Sequence, residues 1–188
     1  MPDHFAALAQ PRRPWLDPEA LRVSFQRAAA RHHPDAGGGD GRFAALNAAH
    51  TNLREPASRL RHLLELEAPD LSARAAPIPS DLADLFMQLA AARRALEGFR
   101  QKHAAAASPL ARALLAAEKA ALLRDLETAR ARLTAAHDDA LAELRALDAA
   151  WAARAAAEWD RLAALQARFA FLAKWSAQLR EDLFRLGG

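Results

Sequence analysis

The sequence contains no cysteine, which removes several kinds of chemistry at once. Disulfides, thiolate catalysis, cysteine-bound zinc and direct cysteine ligation of an iron–sulfur cluster are all excluded. No stretch approaches the ~18 uncharged apolar residues that a membrane-spanning helix needs. The first residues, Met1-Pro2-Asp3-His4, lack the basic and apolar regions of a secretory signal. These absences favour a cytoplasmic protein.

Residues that favour β-strands are also scarce, because tyrosine is absent and valine and isoleucine are nearly so. Alanine, leucine, arginine and glutamate dominate instead, and these residues favour helices. The composition therefore predicts an all-α protein. A length of 188 residues suits one or two small domains.

Neither sign of charge dominates the chain. Lysine and arginine total 26 against 23 acidic residues, so the formal net charge is only +3 although the pI is near 10.1. Arginine and acidic residues alternate along the later helices, which is typical of solvated helix faces. A basic helical nucleic-acid-binding protein remains an alternative, but the small net charge does not favour it.

Two helical patterns flank a glycine-rich loop near the N-terminus. Asp17 and Pro18 form a good helix start, as N-cap and first helical residue. Pro34 disfavours helical backbone at His33, so the first helix should end by His32. Apolar residues recur every three or four positions on both sides of the loop: Leu21, Phe25 and Ala29 before it, and Phe43, Leu46, Ala49, His50 and Leu53 after it. The prediction is an antiparallel helix pair.

The loop carries the tripeptide His33-Pro34-Asp35, and the helix before it carries Arg22, Arg27 and Arg31. This arrangement resembles the J-domain, the module that docks on and stimulates the seventy-kilodalton heat-shock ATPase chaperones. The resemblance implies that the three arginines face an acidic surface of the chaperone and that the tripeptide triggers ATP hydrolysis. A plain helical hairpin turn and a solvated basic helix are the alternatives.

The residues after the hairpin narrow this resemblance. Asn47, the step Leu53-Arg54-x-Pro56, Arg59 and the pair Leu63-Leu64 are similar to the end of the J-domain in HscB-type co-chaperones, which are dedicated to iron–sulfur cluster assembly. The resemblance implies a bacterial-like cytoplasmic co-chaperone. Three histidines stand where that family usually has aromatic residues: His4, His50 and His62. Less apolar area packs at these positions, which predicts a less stable J-domain.

A proline-rich linker between Glu67 and Pro79 separates this region from the rest of the chain. We place the domain boundary near Ala75, with a J-domain at residues 1–75 and a three-helix bundle at residues 76–188. Three apolar registers predict the three bundle helices: Leu82, Leu85, Leu89, Ala92, Leu96, Phe99 and His103; Leu115, Leu122, Leu126, Leu133, His137 and Leu144; and Leu162, Leu165, Phe169, Leu172, Leu179, Leu183 and Leu186.

Local signals mark the starts of the bundle helices unevenly. Ser80-Asp81 should cap the first, and Ser108-Pro109 should begin the second. Neither glycine nor proline occurs from Leu110 to Leu186, so the break before the third helix is poorly marked. We place its N-cap at Asp148.

In HscB-type proteins the bundle binds the scaffold on which clusters are built. The closest match lies at Phe86-Met87 and at residues 168–174, and the resemblance implies that five residues contact the scaffold: Phe86, Met87, Ala90, Arg94 and Phe171. Met87 and Phe171 are off the core registers, so periodicity also places them at the edge of the core, and an exposed apolar patch indicates a partner. The alternative is that the apolar residues fill gaps in the core. Ala91 and Arg94 replace acidic residues of the family, which implies a scaffold of complementary charge or a different client.

No other pattern indicates chemistry. The chain has seven histidines, but His32, His33 and Asp35 lack the spacing of a metal site. Nucleotide-binding and hydrolase motifs are absent, and a small helical bundle offers no obvious cleft for paired acid–base groups. We therefore expect no catalytic residues, no metal and no cofactor. The alternative to an HscB-type function is a J-domain protein with a different client.

Overall fold

A computed structural model describes residues 2–32, 40–72, 79–151 and 156–187. In these ranges every regular element is a helix and no strand occurs: α1 (His4–Ala7), α2 (Pro18–Arg31), α3 (Asp40–Arg54), α4 (Pro56–Glu67), α5 (Pro69–Ser72), α6 (Ala83–Ala105), α7 (Pro109–Leu114), α8 (Ala116–Ala150) and α9 (Ala156–Gly187). The predicted all-α fold, a helical hairpin followed by three long helices, is confirmed. Among the described helices, none has an apolar stretch of the length that crossing a bilayer requires.

The helices of the N-terminal hairpin begin and end where local sequence signals place them. The Asp17 carboxylate accepts a hydrogen bond from the backbone N–H of Ala20 at 2.8 Å, and Pro18 is the first residue of α2. The helix ends at Arg31 with His32 as its C-cap, as the downstream proline predicted. Pro56 likewise begins α4. These boundaries confirm the sequence-based prediction.

Two predicted helix starts are wrong. Asp148 lies inside the last turn of α8, which continues to Ala150, and α9 begins only at Ala156. The Asp148 carboxylate instead binds partners from a distant segment, and these outweigh its preference for a capping position. Ser80-Asp81 lies in a 3-10 turn that leads into α6, whose N-cap residue is Leu82. The predicted break between α8 and α9 does exist.

The chain forms two compact units that share its longest helices. The first unit contains residues 1–77 and 140–170, and the second contains residues 78–139 and 171–188. Helices α8 and α9 therefore each contribute part of their length to both units. The predicted boundary near Ala75 lies outside the described residues, and the division into domains 1–75 and 76–188 stays a prediction.

The core of the first unit is built around the helix pair. Helix α3 packs against both α2 and α1. The ring of Phe25 on α2 stacks on His50 of α3, with 4.4 Å between the ring centroids. Four of the eight residues of the predicted apolar face are buried here, namely Leu21, Leu46, Ala49 and Leu53, and the other four are half-buried. Phe5, Leu8, Leu60, Leu63 and Leu64 complete the buried core. This arrangement confirms the predicted helical hairpin.

The second unit is a three-helix bundle of α6 and the adjoining parts of α8 and α9. Its core follows the three predicted registers: Leu82, Leu85, Leu89, Ala92, Leu96, Phe99, Leu122, Leu126, Leu133, Leu172, Leu179 and Leu186. His103, which the first register placed in the core, is exposed. Polar contacts join the helices at the surface. Lys102 on α6 pairs with Glu118 on α8 at 2.8 Å, and Arg93 on α6 pairs with Asp182 on α9 at 3.1 Å.

Candidate functional site

The three arginines predicted to bind a chaperone are all exposed on α2. Arg27 and Arg31 are four residues apart, so their side chains are neighbours on one face of the helix. Arg22 is nine residues before Arg31, which is about two and a half turns, and it therefore lies on the opposite side. The structure brings two of the three predicted arginines together and separates the third.

The charge of Arg22 is already engaged on its own helix. Its Nε donates a hydrogen bond to Oε2 of Glu19 at 2.8 Å. Within the described ranges, Arg27 and Arg31 have no ion-pair partner, so their charge is available to another molecule. The predicted loop residues His33, Pro34 and Asp35 lie outside the described residues.

Two contacts of α2 with neighbouring segments hold the basic face in place. Phe25 stacks on His50 at an interplanar angle of 19°. Ser24 accepts a hydrogen bond from Nε2 of Gln10 at 2.9 Å. Burial, together with the charge of Arg54, lowers the pKa of His50. The imidazole is therefore neutral at physiological pH and packs as an aromatic ring.

His62 is a buried histidine in the same unit. Its Nε2 accepts a hydrogen bond from the backbone N–H of His4 at 3.0 Å, and its ring stacks on Phe5 with 5.6 Å between centroids. Burial is the largest cause that lowers the pKa of His62, and the charge of His4 adds to it, whereas Asp3 and Glu65 act in the opposite direction. Because Nε2 is an acceptor, the neutral ring carries its proton on Nδ1.

Arg59 is a buried cation beneath the hairpin, with a relative exposure of 3%. Its Nε donates to the Pro14 carbonyl at 2.9 Å and its Nη1 donates to the Leu53 carbonyl at 2.7 Å. Burial lowers the pKa of Arg59 to about 10, so it is still charged at neutral pH. The side chain ties α4 to the end of α3 and to the segment before α2. Its buried hydrogen bonds therefore stabilise the helix pair.

The residues predicted to contact a scaffold lie at the surface of the second unit, and we call them the client patch: Phe86, Met87, Ala90, Arg94 and Phe171. Met87 is 59% exposed and Phe86 is 38% exposed. Ala90 and Phe171 are half-buried, and Arg94 is exposed. The prediction that Met87 lies outside the core is confirmed. The role of the patch in binding stays a prediction.

Trp175 joins the two halves of the client patch, a role that the sequence pattern did not predict. Its ring centroid lies 5.7 Å from that of Phe86 on α6 and 5.7 Å from that of Phe171 on α9. Trp175 itself is only 6% exposed, so its buried ring lies beneath the more exposed rings of Phe86 and Phe171. The available signal was its position four residues after Phe171, which places both on one helix face.

The described residues contain no group of three or more histidine, cysteine, aspartate or glutamate side chains that could hold a metal ion. A shallow groove of about 580 Å³ lies between α8 and α9 in the second unit. Glu127 and Arg130 in this groove pair with each other at 2.7 Å. The groove therefore resembles an ordinary inter-helix surface rather than a site with free acid–base groups.

Comparison with solved structures identifies known proteins that share this all-α fold. The chain is similar to chaperone HscB from Vibrio cholerae, with a TM-score of 0.55 and 21% identity over 98% of this chain and 99% of that chain. It is also similar to the human co-chaperone protein HscB, with a TM-score of 0.55 and 14% identity over 96% of this chain and 81% of that chain. Neither a family model nor a curated protein sequence matches the chain. The predicted HscB-type fold is confirmed.

Proposed function

We propose that the chain is a J-domain co-chaperone of the HscB type. It stimulates ATP hydrolysis by a seventy-kilodalton heat-shock chaperone in a bacterial-type cytoplasm and delivers an iron–sulfur scaffold protein to it. The observation that carries the proposal is the similarity to two HscB co-chaperones over nearly the whole chain, because it includes both the helix pair and the long helices. The tripeptide His33-Pro34-Asp35 between α2 and α3 supports the same function.

The chaperone half of the function uses the basic face of α2. The exposed charges of Arg27 and Arg31 attract an acidic surface of the ATPase, which raises the encounter rate and fixes the orientation. The adjoining segment with Asp35 then binds one conformation of the ATPase more tightly than the other and so shifts its population. The chain itself makes and breaks no bond, so it acts without being an enzyme.

The client half uses the client patch on α6 and α9. Met87, Phe86 and Phe171 present apolar surface that a bound scaffold removes from water. One chain that binds both partners raises the effective concentration of the scaffold at the chaperone. ATP hydrolysis is thereby coupled to capture of the client.

The first test is the steady-state ATPase rate of the cognate chaperone with the full-length chain. Wild type stimulates the rate, whereas Asp35→Asn, which keeps the side-chain size but removes the charge, abolishes the stimulation. Asp70→Asn is the matched control, since Asp70 is an exposed carboxylate on the short helix α5. Equal stimulation by wild type and Asp35→Asn would refute the chaperone half.

The second test is calorimetric titration of the iron–sulfur scaffold protein. Phe171→Ala and Met87→Ala are expected to weaken binding at least fivefold, because truncation of a hot-spot residue at the centre of an interface costs more than ~1 kcal/mol. Leu110→Ala is the control, since Leu110 is 71% exposed on α7 and outside the client patch. Undiminished binding by both patch variants would place the scaffold site elsewhere.

The charge of the client patch favours one second candidate, a J-domain protein with a different client. Ala91 and Arg94 are both exposed at the patch, whereas the HscB resemblance implies acidic residues at these positions. Such a protein keeps the dependence of ATPase stimulation on Asp35 but does not bind the scaffold. The two titrations together separate the two candidates.

A further inference from the structure

One end of the client patch carries a positive charge, that of Arg94. Arg94 lies seven residues after Met87 on α6, so the two side chains share a face and are ~10 Å apart along the helix axis. Between them lie Ala90 and Ala91, whose short side chains leave the guanidinium uncovered. Arg94 is exposed to solvent. The patch therefore combines an apolar end and a positive end on one helix.

Two carboxylates near this part of α6, those of Asp182 and Glu97, have other partners. The Asp182 carboxylate on α9 pairs with Nε of Arg93 at 3.1 Å. Glu97, one turn after Arg94, pairs with Arg100 at 3.7 Å. Among the residues that the structure describes, Arg94 itself has no ion-pair partner. Its charge is therefore free to meet a charge on another molecule.

The opposite end of the patch is electrostatically balanced. The contact of Phe86 with Trp175 and that of Arg93 with Asp182 show that α6 and α9 run parallel, since both contacts advance by the same seven residues. Lys174 on α9 and Asp84 on α6 accordingly lie at the same level, and both are exposed. These two residues give this end of the patch one charge of each sign. The excess positive charge of the patch is thus at Arg94.

We propose that the partner of the client patch presents an apolar side chain to Met87 and Phe171 and a carboxylate to Arg94, about two helical turns away. This inference rests on the proposed function and specifies the chemistry of the scaffold surface, an apolar segment with an acidic residue beside it. A guanidinium binds a carboxylate through two parallel N–H donors, which fixes the direction of the segment on α6. The charge pair sets orientation and association rate, and the apolar contact supplies most of the affinity.

The test is a titration of the iron–sulfur scaffold protein with full-length variants at low and at high ionic strength. Arg94→Glu is expected to weaken binding about tenfold at low ionic strength, and the difference shrinks as salt screens the exposed charges. Arg94→Lys keeps the charge and is expected to bind within about threefold of wild type, because an ammonium replaces the bidentate contact with a single one. Arg100→Glu, on another face of α6, is the matched control and is expected to bind like wild type.

Each outcome decides the inference. Loss of binding by Arg94→Glu with retention by Arg94→Lys supports an acidic partner. Unchanged or tighter binding by Arg94→Glu, together with loss of binding by Phe171→Ala, overturns the acidic partner and leaves the proposed function standing. A scaffold that does not bind the wild-type chain overturns both. Circular dichroism of the Arg94 variants checks that they fold, as an exposed position on α6 predicts.

Discussion

Arg13 and Asp148 form a two-point ion pair between segments far apart in the sequence. The Arg13 Nη2 donates to Oδ2 of Asp148 at 2.6 Å, and its Nε donates to Oδ1 at 3.2 Å. The same carboxylate accepts the backbone N–H of Trp15 at 3.1 Å. The ring of Trp15 in turn lies 4.4 Å from the guanidinium carbon of Arg145, one turn earlier on α8. The segment before α2 is thereby fastened to the end of α8.

Asp148→Ala is predicted to destabilise the first unit by ~1–3 kcal/mol. The substitution removes the acceptor of the Trp15 N–H and the carboxylate partner of Arg13, whose Nη2 keeps only the backbone carbonyl of residue 148 at 3.2 Å. An unsatisfied partly buried donor costs about this much. The half-exposed Arg13 side chain recovers some of the loss by hydration, which keeps the effect moderate. Urea unfolding followed by circular dichroism measures the change. Asp160→Ala, an exposed carboxylate on α9, is expected to change stability little.

Arg59→Leu is predicted to cost ~2–4 kcal/mol of folding free energy. The leucine fills much of the space but leaves the Pro14 and Leu53 carbonyls without donors. Arg59→Lys is expected to be intermediate, because one ammonium does not reproduce the planar fork that meets two carbonyls. The comparison with Arg61→Ala, an exposed arginine on the same helix, isolates the buried contacts. Equal denaturation midpoints for Arg59→Leu and wild type would contradict this assignment.

The stability of the first unit is predicted to fall as the pH drops below about 6.5. Burial lowers the pKa of His62 and of His50 beneath the ordinary histidine value of about 6.5, so in that window the unfolded chain binds protons that the folded chain does not. The stabilisation is complete above the unfolded pKa and is lost as the pH falls through the folded pKa. Protonation of Nε2 of His62 also removes the acceptor for the His4 N–H.

His62→Gln tests this pH dependence, because glutamine keeps an acceptor for the His4 N–H but does not titrate. Thermal unfolding midpoints between about pH 7 and about pH 5 should fall less steeply in this variant than in wild type. His103→Gln, at an exposed position on α6, should leave the slope unchanged. Identical slopes for wild type and His62→Gln would assign the acid sensitivity to other groups.

Charge reversal on α2 is predicted to have unequal effects on chaperone stimulation. Arg27→Glu and Arg31→Glu each lower the apparent affinity for the chaperone several-fold at low salt, because they share one face and have no partner in the described part of the chain. Arg22→Glu has a smaller effect, since Arg22 lies on the opposite side and already pairs with Glu19. The measurement is the co-chaperone concentration that gives half-maximal ATPase stimulation at two ionic strengths. An equal shift of this concentration for all three variants would contradict the prediction, because it would show that the chaperone contacts both sides of α2.

The sequence predicted the positions of most helices because their signals are local. Asp17, Pro18, Pro34 and Pro56 act through backbone geometry and hydrogen bonds within a few residues, so their effect does not depend on the rest of the fold. The leucine registers predicted the cores for a similar reason, since the helical repeat fixes which residues share a face. The surface position of Met87 follows from the same repeat.

Local sequence signals could not predict the contacts between distant segments. Asp148 is an acceptable N-cap, but a cap contributes only ~1 kcal/mol, and hydrogen bonds to charged groups contribute ~1.5–3 kcal/mol each. Arg13, which donates such bonds to Asp148, lies 135 residues earlier in the sequence. Trp175 was missed because its role depends on how α6 meets α9. Arg27 and Arg31 could have been distinguished from Arg22 by spacing alone.

Helices α8 and α9 run through both compact units, so neither unit is one continuous piece of polypeptide. A gene cut after residue 77 would deprive the first unit of residues 140–170, including the carboxylate that holds Arg13. Recombination therefore cannot exchange the N-terminal segment as a module without also supplying a matching middle section. Sequence changes in the last third of the chain must therefore preserve two sets of contacts, those within the bundle and those within the first unit.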